Sequence, residues 1–275
     1  MKSSRFAKTL AAVLLLIGLS GALPSAAQLP PPTQGQVFIY HEELAEPGKL
    51  AEYEQTTKEL AAAAAEHHMT GVPFNWMALE MNDLSYGFIV PIQDFSDIGK
   101  VPQGFAALAS KMGDKFGALM QRASSTVRSY NEFLIQERPD LSYKPAKPRL
   151  KESEQTAFRV DTYYVQPGKE AEAEKISREW AQALTRIGFG DGFTVYQGLS
   201  GNDLPIFAVV IPGKSAADIA EHSAALDKAL GAAAQDLQAR TMAIVRHFDS
   251  QYGVLRPDLS CQTCRGGEAQ AAAAR

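Results

Sequence analysis

The sequence predicts an α+β protein: two tandem β-α-β-β-α-β repeats packed sheet to sheet as one intramolecular barrel. Three observations carry this prediction. Residues 127–142 (VRSYNEFLIQERPDLS) and 245–260 (VRHFDSQYGVLRPDLS) share Val-Arg at their starts and Arg-Pro-Asp-Leu-Ser near their ends, at a spacing of 118. Pro47-Gly48-Lys49 recurs as Pro167-Gly168-Lys169, and Asn82-Asp83-Leu84 as Asn202-Asp203-Leu204, both at a spacing of 120. Between these marks the hydrophobic pattern switches from strand to helix period in one order, twice. Landmarks that keep their order and drift so little mark a duplicated unit of roughly 110 residues, the size of one compact domain.

The chain opens as an address. Lys2, Arg5 and Lys8 precede an apolar run, Leu10 to Leu19, that is too short to span a bilayer, and Pro24-Ser25-Ala26-Ala27 offers a cleavage site. The expectation is a signal peptide over 1–27 and a periplasmic or secreted protein. Without those three basic residues, 24 Lys+Arg face 31 Asp+Glu. An acidic surface of that kind disfavours nucleic acid and anionic membranes as partners. Residues 28–35 (QLPPPTQG) read as a proline-rich linker. Repeat 1 is then placed at 36–145, a charged linker at 146–155, repeat 2 at 156–260, and a Cys-x-x-Cys with a frayed tail at 261–275.

Within each repeat the elements follow in sequence. Val37–Glu43 and Phe158–Val165 are β-rich runs that lead into the Pro-Gly-Lys turns. In the helix that follows, Ile176, Trp180, Ala183, Leu184 and Ile187 form one apolar stripe, with Leu50, Tyr53, Leu60 and Ala64 in the matching place. Gly71 and Gly188 mark helix ends. Two strands come next, 74–81 with 86–92 and 193–199 with 205–211, each pair joined by an Asn-Asp turn. A second helical region follows, with Met112, Phe116, Leu119 and Met120 on one face, and Leu226, Leu230, Ala233 and Leu237 in the second copy. The last strand is the Val-Arg motif.

This order is the ferredoxin-like arrangement, whose sheet carries helices on one face and leaves the other to be covered. Two repeats can cover each other. Here the chain resembles the dimeric α/β-barrel superfamily, which includes antibiotic-biosynthesis-type monooxygenases and NIPSNAP-like proteins, with the pseudo-dimer built from a single chain. The resemblance covers residues 36–260. It rests on element order and duplication, so no active-site residue is carried over.

Candidate site residues come from the matched positions. On the first strand of each repeat, Phe38/Phe158, Tyr40/Val160 and Leu44/Tyr164 are apolar in both copies and are assigned to the helices. Ile39/Arg159, His41/Asp161 and Glu43/Tyr163 are assigned to the space between the sheets, as a hydrogen-bonded interface or a ligand cavity. Arg128 and Arg246 occupy one place in both repeats, as an anion-binding pair or as partners of local acids such as Asp161. His41 and His247 each occur in one copy only, as a single active site or drift would produce. Trp76, aligned with Tyr196, lines a cavity or packs on a helix, while Trp180 is core and His222 is solvent-exposed. His67-His68 ends a helix, and no histidine spacing suits a metal.

No phosphate loop, Gly-x-Ser-x-Gly or dinucleotide fingerprint is present. Cys261 and Cys264 are expected to form a disulfide, since export favours oxidation. Arg265 stands where c-type haem attachment needs histidine. The functional expectation is a non-catalytic exported barrel, without cofactor or metal, that binds a small molecule or a protein. The alternative implied by the resemblance is a cofactor-independent oxygenase using Trp76, Tyr40, His41 and His247, with a haem-using relative behind it.

Overall fold

The computed structural model describes residues 35–261 except Asn202. The signal-peptide reading, nearly all of the proline-rich linker, Cys264 and the tail lie outside the described residues, so the expected disulfide does too. Cys261 itself is buried.

In the first half, β1 (Val37–Ala45) passes through a single turn of 3-10 helix at Pro47–Lys49 into α1 (Leu50–Glu66). β2 (Met77–Met81), β3 (Ser85–Ile92), α2 (Lys100–Met112), α3 (Asp114–Ser124) and β4 (Val127–Glu137) follow. The second half runs β5 (Ala157–Val165), α4 (Glu170–Ile187), β6 (Thr194–Ser200), β7 (Ile206–Gly213), α5 (Ala216–Leu230), α6 (Ala232–Ala243) and β8 (Val245–Leu255). The eight strands close into one antiparallel barrel in the order β1-β3-β2-β8-β5-β7-β6-β4. Each half contributes four neighbouring strands, and the seams are β4 with β6 and β2 with β8. Closure removes every sheet edge and gives each half's uncovered face a dry place.

Two expectations are corrected here. The second helical region of each half is two helices, not one. Gly113 (φ 58, ψ −136) and Gly231 (φ 53, ψ −122) break them with a backbone that residues carrying a Cβ rarely adopt. The strand faces are also reversed. Phe38 meets Tyr196 at 6.0 Å, Tyr40 stacks on Phe133 at 6.1 Å, and Phe158 packs on Leu79 and Met81 inside the barrel. Ile39 instead packs with Tyr53 and Ala64 of α1, and Arg159 donates to Ser223 of α5 at 3.1 Å. The polar positions therefore face the helices. An eight-stranded lumen is just wide enough for side chains and holds little water, so it takes the more apolar set.

The two halves are locked by the motif that ends each of them. Arg138 is 3 % exposed; it pairs with Asp140 at 2.8 Å, then crosses to Glu174 of α4 at 2.8 Å and Gln197 of β6 at 2.5 Å. Arg256 pairs with Asp258 and crosses to Glu54 of α1 at 2.7 Å and Glu80 of β2 at 2.6 Å. Leu141 is fully buried in the second half's core and Leu259 in the first half's. The Ser142 hydroxyl accepts from Val195 N at 2.8 Å, and Ser260 from Ala78 N at 2.9 Å. The carboxylates of Asp140 and Asp258 each hold the guanidinium two residues before them.

These equivalent bonds also correct one pairing. Cys261 N donates to Trp76 O and Tyr143 N to Phe193 O, so Phe193, not Tyr196, is the counterpart of Trp76. Trp76 is buried, and its Nε1 donates to Leu259 O at 2.8 Å.

Truncating either exchanged leucine opens a void in the opposite half's core. Leu141→Ala and Leu259→Ala are each expected to lower the unfolding free energy by about 2–5 kcal/mol in chemical denaturation. A loss well under 1 kcal/mol in both would show that the plug is not what joins the halves.

Candidate functional site

The two halves differ most between sheet and helices. In the first, this space is filled: Tyr53 lies on Tyr86 with ring centroids 4.5 Å apart, Phe105 meets the edge of Phe74 at 5.5 Å, and Phe116 packs beside them. In the second, the same space is a cavity of about 920 Å³, with β5, β7 and β8 as floor and α4, α5 and α6 as roof. The positional reason is plain. At the spacing set by the Pro-Gly-Lys turns, Tyr53 corresponds to Ala173. At the spacing set by Gly113 and Gly231, Phe105 corresponds to Ser223 and Phe116 to Ala234. All three small residues lie on the cavity wall.

The floor has one polar pole. Arg159 donates to Asp161 from Nε at 3.1 Å and Nη2 at 2.9 Å, and Asp161 also accepts from the Ser250 hydroxyl at 2.6 Å. Burial works against the Arg159 charge, but the Asp161 carboxylate and the Tyr252 hydroxyl outweigh it and raise its pKa. Burial first, and then Asp161, raise the Tyr163 phenol well above its ordinary range, so Tyr163 keeps its proton.

His222 is half-buried in the roof, on α5. Its Nδ1 lies 2.9 Å from the Asp218 carbonyl. A carbonyl can only accept, so Nδ1 is the donor in this contact, and in the neutral ring the lone pair is then on Nε2. Asp218 is in turn fixed by Arg149, whose Nη1 and Nη2 reach it at 2.8 and 2.9 Å. The hydrogen bond from Arg149 holds the Asp218 carboxyl down at about 2. Arg149 belongs to the connection between the halves, which is thus anchored rather than loose. Much of the remaining wall is apolar, including Trp180, Leu184, Phe193, Phe207 and Leu226, with Ser177, Asp227, Gln235, Gln238 and Thr241 among its other polar residues.

No family model matches the chain, and no curated protein does. Solved structures do. An anthrone oxidase-like protein superposes with a TM-score of 0.55 at 11% identity, covering 82% of this chain and 93% of its own. A double mutant of chlorite dismutase from Candidatus Nitrospira defluvii gives 0.51 at 11% identity, with the same coverages. A single mutant of that enzyme gives 0.50 at 12% identity, again covering 82% and 93%. The chain shares the α/β-barrel fold of these structures. The expectation of a non-catalytic binder is thereby overturned, since the proteins built on this fold are described as an oxidase-like protein and a chlorite dismutase. Nothing found points to export or to a protein partner.

Within this α/β barrel the predicted site residues scatter. Arg159 and Asp161 line the cavity. His41 is outside it, with Nε2 3.1 Å from Glu43, Nδ1 3.5 Å from Glu132, and its ring against Tyr130 and Phe88. His247 is exposed beside the Tyr164 ring at 4.9 Å. Arg246 is exposed too, reaching the Asp203 turn and lying over Tyr164. Arg128 is exposed, and Asp161, its suggested partner, is taken by Arg159. Trp76 belongs to the first half's core. Among the described residues no cluster could hold a metal ion.

Sequence reasoning missed His222, which it placed in solvent; Trp180, assigned to the core, does pack on the cluster of Ile176, Ala183, Leu237 and Ile244, and lines the cavity as well. The signal was present: small residues stand in the second copy where rings stand in the first.

Burial lowers the His41 pKa, but its hydrogen bond to Glu43 and the charges of Glu43 and Glu132 prevail and raise it. A raised folded-state pKa gives stability that is present below the unfolded value, about 6.5, and lost as pH rises through the folded one. His41→Gln is therefore expected to lower Tm more at pH ~5.5 than at pH ~9. An equal Tm difference at both would show that Glu43 and Glu132 do not act on this imidazole.

Proposed function

We propose that the second-half cavity is the active site of a cofactor-independent oxygenase, and that His222 is its proton acceptor. The carrying observation is the place of His222: an imidazole tied through Nδ1 to the Asp218 carbonyl, on the wall of a large and mostly apolar cavity. A substrate with an acidic methylene flanked by conjugated groups suits such a site. His222 takes the proton, and the Tyr163 O–H donates to the oxyanion on which the charge gathers. The carbanion reduces dioxygen: one oxygen atom forms the new carbonyl and the other leaves as water with both methylene hydrogens. Methylene plus O₂ gives carbonyl plus H₂O, so no external reductant is needed. Apolar walls protect the reactive anion from solvent. The likeness to an anthrone oxidase-like protein supports the same reading.

We also propose that the halves are tandem copies of one unit. The matched sequence marks and the equivalent bonds made by Arg138 and Arg256 support this.

Oxygen uptake with anthrone as probe tests the reaction. One O₂ is expected per product, and His222→Gln should lower kcat by about 10²–10⁴ with KM little changed. No uptake by the wild-type protein, or unchanged kcat in the variant, overturns the reading.

A further inference from the structure

The first half records what its partner cavity lacks. Tyr53 packs on Tyr86 at a tilt of 42° and donates its hydroxyl to Glu43 Oε2 at 2.6 Å. In the strand registers Tyr86 lies opposite Glu43 across β1 and β3, and Phe207 lies opposite Tyr163 across β5 and β7. Tyr163 thus stands where Glu43 does and Phe207 where Tyr86 does, both facing the space left by Ala173. A ring seated there would lie on Phe207 and turn its oxygen toward Tyr163. Ser223 and Ala234 open two further ring-sized spaces beside it.

We infer that the cavity is shaped for a planar, hydroxylated aromatic ligand of about three rings, and that Ala173, Ser223 and Ala234 are the residues that set this size. One ring of the ligand takes the place that Tyr53 has in the first half, and the small side chains at 223 and 234 leave the cavity long enough for the rings fused to it. One oxygen hydrogen-bonds Tyr163, whose raised pKa keeps it a donor. A flexible acyl chain would fill the volume but gain neither the stacking face nor the phenol contact. This inference rests on the reading of the cavity as the active site, but its test is one of binding.

Alizarin, catechol and lauric acid, titrated separately, read ring number and shape. Alizarin is expected to bind at least about tenfold more tightly than either of the others. Ala173→Tyr, Ser223→Phe and Ala234→Phe each restore a first-half ring. Each should weaken alizarin about tenfold or more without lowering Tm. Tyr163→Phe guards against a fill variant that fails to fold: it should weaken alizarin but leave anthracene, which has no hydroxyl, unaffected. Lauric acid binding as tightly as alizarin, or unchanged alizarin affinity in every folded variant, overturns the inference. Tight, ring-selective alizarin binding without oxygen uptake from anthrone would sink the oxygenase reading and leave this one standing. Turnover without ring selectivity would do the reverse.

Discussion

Everything in this molecule hangs on the exchange of Arg-Pro-Asp-Leu-Ser between the halves. Each motif sends a buried leucine into the other half's core, a guanidinium to the other half's first helix, and a serine hydroxyl to the other half's second strand. The arginines illustrate why the arrangement is all or nothing. A guanidinium as buried as Arg138 is tolerable only while Asp140, Glu174 and Gln197 all stay in reach. Removing one partner from such a buried set costs about 3–5 kcal/mol, far more than an exposed pair is worth. Barrel closure is therefore enforced at both seams by groups that cannot be satisfied in an isolated half.

That rigid frame allows the halves to diverge inside. The first is filled by aromatic packing; the second has small side chains at Ala173, Ser223 and Ala234 and is hollow. A polar pair such as Arg159 and Asp161 could not face the lumen, where Tyr40, Phe133 and Phe158 leave no room for water. Between sheet and helices it can be hydrogen-bonded by Ser223 and Ser250 and still meet a ligand. The reversed strand faces and the position of the site are thus one fact. The residues of the proposed site sit on the outer face of the barrel, the face that opens into the cavity.

Much of the architecture was legible in the sequence. The Pro-Gly-Lys turns and the Val-Arg strands fixed element order, and the need to cover two bare sheets implied closure. Gly188, taken as a helix end, caps α4 in left-handed backbone (φ 61). Face assignment failed because it equated apolar with helix-facing, whereas in a closed barrel the lumen is the drier side. The helix breaks were hidden in apolar stripes that run past Gly113 and Gly231. His222 was invisible to motif reasoning, since its partner is a backbone carbonyl and Asp218 owes its place to Arg149 in a linker. His41 and His247 stand out by occurring in one half only, yet His41 lies beside Glu132 and Tyr130 of β4 and His247 lies exposed beside Tyr164 on the lumen parity of β5, both outside the cavity. The informative asymmetry was in size, at Ala173, Ser223 and Ala234, rather than in ionisable residues.

The magnitude of the cavity decides what occupies it. At about 24 cal/mol per Å³, an empty void of 920 Å³ would cost roughly 20 kcal/mol, more than the whole stability of a typical domain. The cavity is therefore not a dry void. Gln235, Gln238 and Met242 on α6 line it and are also exposed, so its rim opens to solvent. The Arg159–Asp161 pole gives entering water partners, while the apolar remainder of the wall gives it few. Water over Phe193, Phe207 and Leu226 is poorly bonded and gains by release, which is the condition under which an apolar ligand binds well. The small side chains at Ala173, Ser223 and Ala234 leave part of the second half's packing surface unmet, and the planar ligand inferred above would cover it.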